Sequence, residues 1–256
     1  MSELPPLLEA CRRVAECCPA LTVRMLGAGE PAPGRDWVPA TDFADRMPEL
    51  IAGEAGRIRA EHGCAVPPHV AAARLLHHYL WSVCLLASGP WYLTGRVPEL
   101  GHDRLWLAPQ SGELAFRPGN ELDDASDRAT SGDERLRAVV AAHAAPVLAA
   151  FRPVAKRGSR SLWGMVTDDL VSGLWYLGRM LGREEDAVAR AERLLPGGTG
   201  PLPGGAQFRR LAGTADREHL TRTRLGCCLY YAVRPEDTCL TCPRTCDAER
   251  VRRLEE

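Results

Sequence analysis

Five of the chain's ten cysteines fall within "TRTRLGCCLYYAVRPEDTCLTCPRTCDAER", residues 221–250 of 256. They are Cys227, Cys228, Cys239, Cys242 and Cys246. A Cys-x-x-Cys pair lets one turn present two thiolates to a metal with backbone N–H groups aimed at the sulfurs, so Cys239 and Cys242 form half of a site. The vicinal pair Cys227-Cys228 can serve the other half only if the backbone bends, because neighbouring side chains on a strand face opposite ways. Gly226, directly before the pair, is expected to make that bend inexpensive. Residues 229–238 read as a short hairpin that returns Cys239 beside Cys228, and Pro243 stiffens the exit. By count, four thiolates suit zinc or an iron–sulfur cluster equally. Zinc sites usually pair two Cys-x-x-Cys knuckles, and this segment has one, so the spacing leans toward iron–sulfur.

The elements that must position these sulfurs are mostly helical. Leu8, Cys11, Val14, Ala15 and Cys18 recur at helical spacing over 5–17, and "LTVRML" (21–26) reads as a short strand. A helix is expected from a cap at Thr41 or Asp42 to Glu61, ended by His62-Gly63. The apolar run 70–89 reads as a buried helix entered through Pro67-Pro68 and closed by Gly89-Pro90. Alternation in "RLWLAPQSGELAFRPG" (104–119) predicts a β-hairpin. The acidic stretch "NELDDASDRATSGDE" reads as an exposed loop. Further helices are expected at 133–151 with a kink at Pro146, at 161–182 from a Ser161 cap, and at 183–195. "PGGTGPLPGG" (196–205) reads as a linker. The order gives an α+β fold, predominantly helical with a small antiparallel β region and a C-terminal Cys-rich segment. It divides into a body of residues 1–195, the linker, and a tail of 206–256.

Composition excludes several functions. Charged residues make up 25% and net charge is −1, so no basic field points to nucleic acid. The N-terminus has no basic-then-apolar leader, and Arg74, His77 and His78 interrupt the longest apolar run, so no transmembrane segment is expected. The expected location is the cytoplasm, including its membrane-facing periphery; there clustered cysteines bind metal or do chemistry more often than they form disulfides. "GAGEPAPG" lacks the third glycine of a dinucleotide turn, and the linker lacks the Lys-Ser/Thr of a P-loop. His77 and His78 have no i+4 partner for a metal face and read as hydrogen-bonded, half-buried histidines. Asp168-Asp169 read as solvent-facing, with a cleft lining as the other option, and Cys17-Cys18 as helix packing.

The pattern Cys227-Cys228-x10-Cys239-x2-Cys242 resembles the C-terminal signature of the FhuF family of ferric-siderophore reductases. The lead-in "TRTRLGCC" and the stretch "SRSLWGMVTDDL" (159–170) are also similar to that family, which usually carries asparagine where Met165 stands. The resemblance implies a [2Fe–2S] cluster held by Cys227, Cys228, Cys239 and Cys242, with Cys246 spare. It implies one-electron reduction of a ferric siderophore of hydroxamate or catecholate type, in which the cluster is the catalytic group. Fe²⁺ is held far less well than Fe³⁺ by such hard oxygen ligands. With no nucleotide motif in the chain, an external donor such as a ferredoxin or a ferredoxin reductase is implied. Arg222 and Arg224 are expected over the cluster at a docking surface, and Trp163 in a siderophore cleft. The competing reading is a siderophore-handling or accessory binding protein with a structural Cys₄ zinc.

Overall fold

The computed structural model describes residues 6–27, 29–119, 131–214 and 217–256. Helix α1 (Pro6–Cys17) buries Leu7, Ala10, Cys11 and Val14 along one face, as its periodicity requires. Strand β1 (Val23–Met25) follows, then β2 (Val38–Pro39) and a single 3-10 turn at Ala40–Asp42. Helix α2 (Met47–His62) starts later than expected because that turn takes up Thr41 and Asp42. It ends at Gly63, which adopts the left-handed conformation at φ 68° and donates its N–H to Arg59 O.

Helix α3 (Pro68–Thr94) does not stop at Gly89-Pro90 but runs on to Gly95. Gly89 is there for contact: a Cβ would lie 2.5 Å from Val14 Cγ2 of α1. Pro90 lies within the last turns of the helix, and Thr94 Oγ1 donates to its carbonyl at 2.8 Å. The expected hairpin forms as β3 (Leu105–Leu107) and β4 (Leu114–Phe116). The sheet order is β1-β4-β3-β2. Its β1–β4 pairing is parallel, with Val23 opposite Leu114, and the other pairings are antiparallel.

Helix α4 (Gly132–Ala155) opens with a capping box between Ser131 and Glu134 and contains Pro146 and Pro153. Helix α5 (Ser159–Met180) is capped at Gly158, three residues before the cap expected at Ser161, and α6 (Glu184–Leu194) follows. α3 packs against α1, α2, α4 and α5, placing it at the centre of the helical layer. α3 and α4 are each long and apolar enough to cross a membrane by length and composition, but 78% of the apolar window of α3 is buried inside the protein.

Residues 196–205 fold back on themselves, with Gly198 N–H donating to Gly204 O, and Leu202 and Ala206 enter the same core as the helices. An antiparallel pair that the sequence did not announce follows: β5 (Phe208–Ala212) and β6 (Glu218–Arg222). The hairpin expected at 229–238 is instead a 3-10 turn, Tyr230–Ala232, and further turns. Helix α7 (Asp247–Leu254) closes the chain. The fold is α+β and predominantly helical, with the Cys-rich segment held between α5 and α7.

Candidate metal centre

The site begins with two adjacent carboxylates. Asp168 and Asp169, on α5, are fully buried rather than solvent-facing. Burying a charge is costly unless it is paired and hydrogen-bonded, and both are. Asp168 Oδ1 accepts from Arg222 Nη2 at 2.7 Å and from the Leu225 N–H at 3.0 Å; its Oδ2 accepts from the Gly226 N–H at 2.8 Å. Asp169 Oδ1 accepts from Arg224 Nη2 at 2.8 Å and lies 2.7 Å from His77 Nδ1 on α3. Arg222 also donates to Ala206 O at 3.0 Å and Ser172 Oγ at 3.2 Å.

Both arginines therefore depart from the docking surface expected of them. Arg222 is wholly buried and Arg224 nearly so, because each neutralises a carboxylate that α5 turns inward. Trp163 is half-buried against the helical core.

The chain enters the cysteines along this clamp. The backbone bends at Leu225 and Gly226, directly before the pair, as expected. A Cβ on Gly226 would lie 3.2 Å from Met165 Cγ, so the glycine lets the loop press onto α5. A second bend follows one residue after the pair, at Leu229, whose φ is 63°. Its N–H points at Cys227 Sγ, 3.4 Å away, and the Arg244 N–H points at Cys242 Sγ, 3.5 Å away. Such donors stabilise sulfur-borne charge. The Cys-x-x-Cys turn closes with Cys242 N–H to Cys239 O at 2.9 Å, and Arg224 N–H donates to Thr241 O at 3.0 Å, which joins the two halves.

Helix α7 supplies the support that sequence reasoning missed. Arg250 is 1% exposed and donates to Leu240 O at 2.6 Å, Cys242 O at 2.9 Å and Thr245 O at 3.1 Å. Arg253 grips Thr238 through its carbonyl and hydroxyl. Among so many arginines, nothing in the sequence marks these two.

Cys228 and Cys239 are in hydrogen-bond contact. That bond, aided by His77, Arg74 and Arg224 against the opposing effect of burial, holds Cys228 well below the ordinary thiol range. The same bond and burial push Cys239 up, and burial raises Cys227. Cys227 and Cys242 lie within electrostatic reach of each other. Among the described residues no three Cys, His, Asp or Glu side chains close around one point as a single ion needs. Soft, ionisable sulfurs beside a buried guanidinium, two of them already facing backbone N–H donors, fit an iron–sulfur cluster. Cys246 is exposed and stands at the N-terminus of α7.

A cavity of about 410 Å³ opens beside Cys228 and Cys239, between the cysteine segment and helices α2 and α3. Arg57, Arg74, His77, His78 and Arg224 line it. A second cavity of about 380 Å³ shares the last four of these and adds Trp81 and Trp175. The His77–His78 pair, read as ordinary half-buried histidines, thus sits on the wall between the cysteines and an open trough.

Residues 224–244 match the family model of the FhuF 2Fe-2S C-terminal domain. No curated protein matches the chain. The matched stretch runs from the guanidinium that pairs with Asp169 to the backbone N–H that faces Cys242, and so spans both halves of the sulfur site. In this segment the chain is thus similar to the FhuF 2Fe-2S C-terminal domain, and its cofactor is a [2Fe–2S] cluster.

Proposed function

We propose that the protein reduces a ferric siderophore by one electron, and that Cys227, Cys228, Cys239 and Cys242 hold the cluster. One observation carries this reading: two of the four thiols sit in the wall of an arginine- and histidine-lined cavity large enough to receive part of a metal chelate. The cluster supplies a one-electron couple, whose potential in this class of centre ranges over roughly −700 to +450 mV. The protein's own residues do the rest. The cavity wall holds the chelate beside Cys228, which keeps the tunnelling distance short. Asp168 and Asp169 fix the loop, so little reorganises when charge arrives. No side chain need transfer a proton.

The electron comes from an external donor, of the ferredoxin or ferredoxin-reductase kind. The product Fe²⁺ is a softer ion that hard oxygen ligands hold less tightly, so it leaves the chelator. The ten unpaired cysteines suit the reducing interior of the cell as the place of action.

The test is anaerobic stopped-flow mixing of the dithionite-reduced protein with a ferric siderophore, in the presence of a ferrous-specific chromophore. We expect one Fe²⁺ to appear per reduced protein as its visible spectrum returns to the oxidised form. NADPH alone should give no turnover until a ferredoxin system is added. A reduced protein that stays reduced with both hydroxamate and catecholate ferric chelates overturns the reading.

A further inference from the structure

The four sulfurs do not share one surrounding. Cys228 and Cys239 line the cavity beside α2 and α3, whereas Cys227 and Cys242 line neither of the two cavities. Cys227 instead has the corner between α4 and α5 beside it. Arg157, in that corner, acts electrostatically on Cys227 and donates to Ser161 Oγ at 3.2 Å. The Ser161 carbonyl oxygen lies 3.5 Å from where a Cβ on Gly226 would stand. Arg244 follows Cys242 by two residues, with its guanidinium 4.3 Å from the centroid of the Tyr231 ring.

This side carries exposed apolar surface. Of the three large hydrophobic side chains exposed among the described residues, two belong to the cysteine segment: Leu225, 38% exposed, and Leu240, 39% exposed. Arg224 N–H donates to Thr241 O at 3.0 Å, so the two leucines stand on neighbouring backbone. Arg224 and Thr241 line the second cavity, and Leu225 and Leu240 do not. Leu225 Cβ lies 3.4 Å from where a Cβ on Gly164 of α5 would stand. Arg160 is one helical turn before Gly164, on the same face of α5.

The charges here do not cancel within the described residues. A Cys₄-ligated [2Fe–2S] cluster is itself an anion and gains a further negative charge on reduction. Arg157 and Arg244, which make no ion pair among the described residues, stand on this side of it and offset part of that charge. Arg222 and Arg224 are matched by Asp168 and Asp169. Lys156 and Arg160 are exposed, make no ion pair among the described residues, and are left over at the rim. Every acid within residues 221–256 is ion-paired except Asp237. An apolar centre with uncompensated cations around it suits a transient complex with an acidic protein.

We propose that Leu225 and Leu240, rimmed by Lys156, Arg157, Arg160 and Arg244, form the docking surface for the reducing partner, an acidic one-electron carrier protein. The inference rests on the reductase reading and gives its electron an entrance. The carrier docks on the side of Cys227 and Cys242, and the ferric chelate sits on the side of Cys228 and Cys239. In each turnover the carrier loses one electron and Fe³⁺ gains it, with no bond to carbon made or broken. Carrier and chelate then need not compete for one surface.

Binding is measured apart from turnover by calorimetric titration of the oxidised holoprotein with an oxidised plant-type [2Fe–2S] ferredoxin, an acidic carrier. Cytochrome c, a basic carrier, is the control. The ferredoxin should bind and cytochrome c should not, and affinity should fall as salt is raised. Arg160→Glu should weaken ferredoxin at least tenfold at low salt and much less at high salt. Leu240→Ser should weaken it at both. Arg135→Glu, about 30 Å away near the other end of α4, should change nothing. Each variant is checked for iron content and visible spectrum. In stopped flow, the dithionite-reduced Arg160→Glu variant should pass its electron to a ferric siderophore at the parental rate, while its own reduction by reduced ferredoxin slows at least tenfold.

Ferredoxin binding that is absent, or unchanged by both Arg160→Glu and Leu240→Ser, overturns the docking surface. So does an equal loss in Arg135→Glu, or a preference for cytochrome c. If the dithionite-reduced protein still reduces the ferric siderophore in those cases, the reductase reading stands. Ferredoxin binding that follows the predicted pattern in a protein that reduces no ferric chelate supports the surface and overturns the reductase reading alone.

Discussion

Asp168 is the residue that decides where the first two sulfurs sit. One carboxylate takes the N–H groups of Leu225 and Gly226, the two residues before Cys227, and the guanidinium of Arg222. Asp168→Asn keeps the shape but leaves Arg222 a buried, uncompensated cation. Breaking a buried pair on one side costs about 3–5 kcal/mol. Urea unfolding should show a loss of that size, and bound iron should fall although every thiol is present. The thiols divide in turn. Serine at Cys227, Cys228, Cys239 or Cys242 should strip the iron, whereas Cys246→Ser should leave it near the parental level; iron quantification on purified variants decides. A third residue, His143, governs acid stability. Burial first, then His102, pushes it down to about 4 from 6.5, where it is hydrogen-bonded to Tyr79 and Leu100 O. The folded state binds this proton less readily than the unfolded one. Stability is thus full above pH 6.5 and falls by about 3 kcal/mol as pH drops toward 4. His78 has the same sign, so His143→Asn should roughly halve the acid slope in urea melts at pH 7 and 4.5. At this scale the cluster-binding segment was legible, because thiols at metal-binding spacing mean little else in a reduced chain. Asp168 was not: two adjacent acids on a helix default to solvent, and only the arginine 54 positions away reverses that.

Among the elements, α7 matters to the cluster more than its eight residues suggest. Arg250 feeds three carbonyls on either side of Cys242 and Arg253 holds Thr238, so the helix keeps the Cys-x-x-Cys turn in one shape. Arg250→Ala leaves those buried carbonyls without a donor, at about 1–3 kcal/mol for each group that water cannot reach. We expect cluster loss to an iron chelator at least tenfold faster than in the parent, followed by visible absorbance. Arg250→Lys should not rescue it, since one ammonium cannot reproduce the guanidinium fork. Parental kinetics in the alanine variant would reduce α7 to a bystander. The long helices were legible from apolar periodicity, and Gly63 from its place after the last periodic residue. Gly89-Pro90 misled, because a glycine kept for contact with Val14 has the same letter as one kept for a turn. β5 and β6 escaped notice because "FRRLA" and "EHLTR" carry charge where an ordinary strand alternates. The bend at Gly226 was foreseen, but not the second one at Leu229, where the chain tolerates a left-handed leucine.

At the scale of the whole molecule, the site belongs to neither half of the chain alone. Its cavity has Arg57 on α2 and Arg74 and His77 on α3 as one wall, with Arg224, Cys228 and Cys239 as the other. The sequence reading divides the chain at the Gly/Pro stretch 196–205. Yet Leu202 and Ala206 are buried with the helices, and the ion pairs Arg222–Asp168 and Arg224–Asp169 cross that division in the interior. A helical body deprived of the tail would keep two buried carboxylates with no cation and His77 with no guanidinium beside it. At about 3–5 kcal/mol for each broken pair, against the 5–15 kcal/mol typical of a whole domain, most of its stability would be gone. The prediction is that body and tail unfold as one. Thermal melts of the anaerobic holoprotein should superimpose whether read by far-UV ellipticity, which follows the helices, or by visible absorbance, which follows the cluster. A fragment of residues 1–205 should lack a cooperative transition near the parental temperature. A visible signal that disappears well before the helices melt, together with a stably folded 1–205 fragment, would mean that the buried pairs hold the tail in place without supporting the body. The cavity would then have to be regarded as a junction that opens.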